Sequence, residues 1–300
     1  MTIAIYVVLY AAFLIFFVAS IARAVRYARL PMHLRWELYP VPHEEPDHAE
    51  HGGSYYESVD WWRKARHRNL WGELKFMIPE MVFLKGLWEF NRPLWFRSFP
   101  FHFGLYLLML TIGLVVLSAV LTTAVLRPLY VVTGVAGLTL AMAGAIGLLL
   151  RRLTDEKLKN YSAPADIFNL MFFMASFGLL MAGYACQGTQ CPGAVGLARG
   201  LLTFDTSLTI PPVIAGGLVL NALLVAYIPL THMSHFIAKY FTYHSIRWDD
   251  DPNVGAREMA KKIARSLSYR PTWTAPHVGA DGARTWADIA TTNPAAGGRK

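Results

Sequence analysis

Residues 99–123 read Phe-Pro-Phe-His-Phe-Gly-Leu-Tyr-Leu-Leu-Met-Leu-Thr-Ile-Gly-Leu-Val-Val-Leu-Ser-Ala-Val-Leu-Thr-Thr, a run with no Lys, Arg, Asp or Glu, interrupted by one imidazole, His102. Crossing a bilayer as a helix takes about 20 predominantly apolar residues, and a helix is the simplest backbone that satisfies its own polar groups in hydrocarbon. Four further segments meet the same condition: 3–22, 129–150, 164–184 and 208–238. None of the five contains Lys or Arg, and the only acid is Asp166, near the start of the fourth. The last is longer than a straight span needs, so its Ile210-Pro211-Pro212 start is expected at the interface. The sequence therefore specifies an all-α fold, an integral membrane bundle of five spans. Buried helices of a soluble domain would not give five such runs. Charged residues are 16% of the 300, against about 25% in soluble domains.

Positive charge orients the chain. The segments 23–98, 151–163 and 239–300 carry 12, 4 and 10 of the 28 Lys and Arg residues, leaving Arg127 and Arg199 for the other side. The N-terminus is thus expected outside and the C-terminus in the cytoplasm of a bacterial or archaeal inner membrane. Arg23, Arg26 and Arg29 follow the first span and no basic residue precedes it, the reverse of a cleavable signal peptide. The net charge of +8 follows from this topology and from anionic headgroups, not from nucleic-acid binding.

Residues 1–238 make up the membrane domain, with the cytoplasmic loop 23–98 inside it, and 239–300 form a cytoplasmic tail. The loop begins irregular and His/Glu/Pro-rich. From Asp60 it becomes rich in Trp and basic residues, with a pattern that predicts amphipathic helices on the membrane surface. These suit a lipid-facing collar and a docking surface for a partner equally well. The tail has one helix-like piece, 256–267, and scattered Trp248, Trp273 and Trp286 without a core of their own, which points to packing on another subunit. Cys186 and Cys191, in the outward loop 185–207, are spaced to close a small disulfide in an oxidising compartment.

Of ten histidines, only His102, His232 and His235 fall within spans, where ionisable groups are costly and hence functional candidates. His102 lies five residues inside Arg97 and His235 four inside Lys239, which for straight helices is roughly 7 and 6 Å below the cytoplasmic charge line. The second and fifth spans run antiparallel, so the two imidazoles come to one depth. That is the arrangement in which two neutral imidazoles hold haem iron in a helix bundle. One such histidine is more often a packing residue; two at matched depth, with a third beside them, reverse the odds. Three histidines support one haem at most. His232 remains an alternative ligand, and Pro229 just before it can bend the helix and re-aim the turn.

Phe-His-Phe-Gly opening the second span (101–104) and Pro-Leu-Thr-His-Met-Ser-His-Phe closing the fifth (229–236) resemble the gamma subunit of respiratory nitrate reductase. The tail sequences Tyr-His-Ser-Ile-Arg-Trp-Asp-Asp (243–250) and Thr-Trp-Thr-Ala-Pro-His (272–277) resemble relatives of that subunit that pair with heterodisulfide-reductase-like iron–sulfur proteins in sulfate reducers and other anaerobes. The resemblance covers all five spans and implies a quinol-oxidising cytochrome b. The family carries two haems, with two histidines from the second helix and two from the fifth. His102 and His235 match one ligand of each pair, while the partner positions are Ile112 and Gly217, which cannot ligate iron. The resemblance thus implies one haem b, on the cytoplasmic side, with His235 favoured over His232. Without an outer haem, menaquinone is expected to bind on the cytoplasmic side, where His232, Asp166, Asn169 and Arg97 are the polar candidates. Asp166 also suits a helix cap, and Arg97 a haem propionate or a lipid phosphate.

The chain has no Gly-rich nucleotide loop and no cysteine cluster for iron–sulfur, so it is expected to be an electron-transfer subunit of a quinol oxidoreductase rather than a complete enzyme. The rival expectation is a haem-free membrane anchor, scaffold or small transporter subunit whose histidines only hydrogen-bond.

Overall fold

The computed structural model describes residues 1–30, 41–44, 54–64, 68–185, 193–249, 257–273 and 278–293. Cys186 and Cys191 lie outside the described residues, as do positions 274–277 of the second tail sequence. No strand occurs among the described residues, and five helices are long and apolar enough to cross a membrane. They are the first span Thr2–Ala28, the second Arg92–Leu121, the third Arg127–Thr154, the fourth Pro164–Ala185 and the fifth Pro212–Tyr227. The protein is a multi-pass membrane protein. The chain divides into two compact units, Met1–Ser20 with Lys75–Ser234, and Ile21–Leu74 with His235–Lys300.

Two boundaries depart from the sequence expectation for stated reasons. The second span begins at Arg92 rather than 99, because Asn91 caps it, its side chain accepting from Leu94 N at 3.2 Å, and Pro93 suits a first turn. The fifth span is one regular helix only to Tyr227, not to 238. A proline at 229 has no N–H and clashes with the preceding turn, so the chain continues as a 3₁₀ turn, Ile228–Leu230, an extended Thr231 and a second 3₁₀ turn, His232–Ser234. The depth set by a straight helix therefore does not carry through to His232 and His235.

In the first unit the second and third spans meet along small residues. A Cβ on Gly104 would lie 2.4 Å from Ala141 N, and one on Gly144 2.4 Å from Phe101 N. Ala141 and Ala145 are wholly buried there, beside Phe101, Phe173 and Phe177. Small residues let backbones approach closely where lipid offers no hydrophobic drive for helices to associate. The first span packs Ile5 and Tyr6 on Leu197, Ile214 and Ala215, and Ala12 on Ala222 and Ala226 of the fifth. Hydroxyls fasten that contact: Thr2 donates to Leu208 O at 2.7 Å, Tyr6 to Asp205 O at 3.0 Å, and Tyr10 to Leu201 O. The Asp205 carboxylate accepts from the Ser207 hydroxyl and N–H, which hold it below the usual carboxylate range.

In the second unit Trp248 is almost fully buried, its ring against Tyr243 and His244 and near His43. This tail tryptophan packs on the chain's own loop, whereas Trp273 is 55% exposed and meets Trp286 at a tilt, ring centroids 5.8 Å apart. His244 Nδ1 donates to Tyr240 O at 2.9 Å and Nε2 faces Glu73 Oε2 at 3.3 Å, so both ring nitrogens meet acceptors. Glu73, in the first turn of helix Leu70–Val82, is buried, whereas its neighbours Leu70, Trp71 and Leu74 are exposed. Glu73→Ala is expected to strand His244 and loosen the tail, costing about 1–3 kcal/mol. Faster limited proteolysis within 239–249 checks it, and an unchanged cleavage rate would count against the pair as a fastener.

Candidate functional site

Asp166 and Asn169 of the fourth span, Tyr227 and His232 at the end of the fifth, and Arg152 of the third meet at one end of the bundle. The fourth span starts at Pro164, and Asp166 in its first turn reaches back so that Oδ2 accepts from Ala163 N at 3.0 Å. That is half of a capping box, and negative charge is favoured there. The same Oδ2 accepts from Arg152 Nη1 at 3.3 Å, and Arg152 also donates to Ser162 Oγ at 3.2 Å. Oδ1 stays available to a further partner, and His232 Nε2 stands 3.2 Å from it.

One turn on, Asn169 is 5% exposed. Its Nδ2 lies 3.2 Å from the same His232 Nε2, and its Oδ1 accepts from Tyr227 OH at 3.0 Å. Tyr227 ends the fifth helix, and the break at Pro229 turns His232 back toward the fourth. Without that break His232 would continue the helix and follow its face.

Nε2 of His232 thus faces an acceptor, Asp166, and a donor, Asn169, and one nitrogen can serve only one of them at a time. With the proton on Nε2 the ring donates to Asp166. With it on Nδ1 the ring accepts from Asn169, whose amide in turn accepts from Tyr227. A shift of the ring proton therefore moves the His232 bond from Asp166 to Asn169 and leaves Tyr227 donating to Asn169 and Arg152 donating to Asp166. The His232 side chain is 60% exposed, so it links the buried amide to the exterior.

His102 sits in the second span beside the close contact with the third. Its Nδ1 lies 2.7 Å from Ser98 O and 3.3 Å from Ser98 Oγ; because a carbonyl can only accept, a neutral ring bonded to it has its proton on Nδ1 and its lone pair on Nε2. Phe101 stands edge-on to the ring at 5.3 Å and is itself held by Phe173. His235 opens the helix His235–Thr242 and belongs to the second unit, its side chain exposed.

The structure therefore brings Asp166, Asn169 and His232 together and keeps Arg97 apart from them. Arg97 donates to Pro93 O on its own helix and lays its stem on Gly147 of the third span. Arg152 and Tyr227 were missed by sequence reasoning. Tyr227 had a signal, a phenol two residues before the helix-breaking proline; Arg152 had none that separated it from Arg151. No group of three or more His, Cys, Asp or Glu side chains able to hold a metal ion occurs among the described residues.

No protein-family model matches the chain, and no curated protein matches it in sequence.

Proposed function

We propose that the chain is the membrane subunit of a respiratory oxidoreductase complex. It holds one haem b through His102 and His235 and passes electrons between menaquinone and an iron–sulfur subunit of the heterodisulfide-reductase-like kind. In this reading the arginine-rich end is cytoplasmic, following the distribution of Lys and Arg, and the partner docks on the loop and tail there.

The tautomer of His102 carries the reading. Metal-ligating histidines commonly donate their second ring nitrogen to a backbone carbonyl, which fixes the ring and raises its basicity, and Nδ1 of His102 does so with Ser98 O at 2.7 Å. The lone pair is thereby placed on Nε2, the nitrogen a haem iron would need. When bound, haem supplies a one-electron carrier tuned by its axial ligands. A single haem is supported by Gly217: a Cβ there would lie 3.1 Å from Leu180 Cα, so the fourth and fifth spans are in close backbone contact where the resemblance puts an outer-haem ligand.

Asp166, Asn169 and His232 serve the quinone. Asn169 Nδ2 and His232 Nε2 are donors for a quinone oxygen, Asp166 is an acceptor for a quinol hydroxyl, and exposed His232 carries the proton between that group and the aqueous side. The rival, a haem-free anchor or transporter subunit, draws on Arg152 and Asp166, which would then be a clasp closing the third and fourth spans.

A visible spectrum of the purified protein separates the two: Soret and alpha bands of a b-type cytochrome are expected, and their absence would sink the haem. Asp166→Asn is expected to slow quinol oxidation about a hundredfold while leaving those bands in place. Unchanged turnover would remove Asp166 from the quinone site.

A further inference from the structure

Between the second and third spans, at the arginine-rich end, lies an open cleft of about 570 Å³ that the quinone and haem residues do not use. Pro93 and Arg97 form one wall, and Gly147, Leu150, Arg151 and Asp155 the other. Arg151 Nε lies 3.7 Å from Asp155 Oδ2, but its Nη1 is buried with no hydrogen-bond partner. A guanidinium N–H out of water without an acceptor is costly, and Asp155 does not supply one: its Oδ1 caps the next short helix, accepting from Lys157 N at 3.0 Å. Arg97 and Arg151 both line the cleft, and the Arg97 stem lies over Gly147, where a Cβ would come 3.3 Å from Arg97 Cγ. Two guanidiniums against one carboxylate leave one positive charge, the complement of one phosphodiester.

We propose that this cleft binds the phosphate of an anionic phospholipid, with the Arg97 and Arg151 guanidiniums as its donors. Guanidinium forks match phosphate oxygens, and basic pockets between membrane helices take anionic headgroups. A lipid is favoured over a free phosphate by the rim. Leu150 beside the arginines is 54% exposed on a membrane-spanning helix, which gives an acyl chain a surface to follow. The arginines stand at the ends of the spans, where a headgroup lies. The site is independent of whether the protein holds haem.

The test uses the full-length protein in nanodiscs of phosphatidylcholine, with and without a minor fraction of phosphatidylglycerol, followed by detergent extraction and native mass spectrometry of retained lipid. Phosphatidylglycerol should be retained about tenfold over phosphatidylcholine, and Arg151→Gln should bring the two level. Gly147→Leu, which fills the cleft beside Arg97, should do the same and carries the test if Arg151→Gln does not accumulate. Added inorganic phosphate should leave the retained lipid in place; displacement at equal concentration would mark a free-anion site and overturn the lipid assignment. Equal retention of the two lipids by the wild type, or undiminished preference in both variants, would overturn the site itself.

Discussion

Gly144→Ala, the addition of one methyl group, is expected to break the pairing of the second and third spans. The new Cβ would sit 2.4 Å from Phe101 N and 2.7 Å from Phe101 Cα, both backbone atoms that no rotamer change can move. Gly104 opposes Ala141 in the same way, at 2.4 Å, so the two helices cannot slide to make room at one crossing without colliding at the other. Separation opens the wholly buried contacts of Ala141 and Ala145, and packing is the main attraction between helices in lipid. Overpacking costs about 1–3 kcal/mol when side chains can yield; backbone against backbone puts this case at the upper end, about 3 kcal/mol or more. Gly113, on the same helix as Gly104, is the control, because a Cβ there meets nothing within 4 Å. Gly113→Ala should instead stabilise by up to about 1 kcal/mol, since alanine replaces glycine in a helix interior. Thermal unfolding of the two variants in one detergent should shift in opposite directions. A Gly144→Ala protein as stable as the wild type would show that the spans do not meet at Phe101.

His102→Ala is expected to abolish the b-type spectrum altogether. In the proposed haem site His102 is the second span's ligand, and the bis-imidazole spectrum needs both imidazoles. Ser98→Ala supplies the counterpart: the acceptor for His102 Nδ1 is the backbone carbonyl of Ser98, so that variant keeps the bond and should keep the spectrum. His235→Ala should match His102→Ala, and His232→Ala should retain the bands while slowing quinol turnover. Loss of the bands in the His232 variant alone would exchange the two assignments.

These outcomes bear on residues that were unequally visible beforehand. His102 could be singled out from its span, but the acceptor its ring meets, the Ser98 carbonyl one turn back, depends on the side-chain rotamer, which the sequence does not give. Asp166 stood out as the one acid in five apolar runs, and its capping role followed from its place in the first turn. That it also receives Arg152 and faces His232 depends on three helix ends meeting. Adjacent Arg151 and Arg152 point about 100° apart on a helix, and the sequence names neither the cleft that takes one nor the carboxylate that takes the other. Trp248 shows the converse: it reads as an anchor for a partner subunit, yet the chain's own loop buries it.

The number and identity of the spans were settled by sequence alone. Crossing hydrocarbon is a local requirement, met residue by residue within each helix, so an apolar run of sufficient length without a charge is enough to specify it. The polar group at the arginine-rich end was decided only by the tertiary structure. It gathers residues from Arg152 to His232, 80 positions apart along the chain, and the break at Pro229 sets the direction of His232 by a change of backbone path that no periodicity predicts.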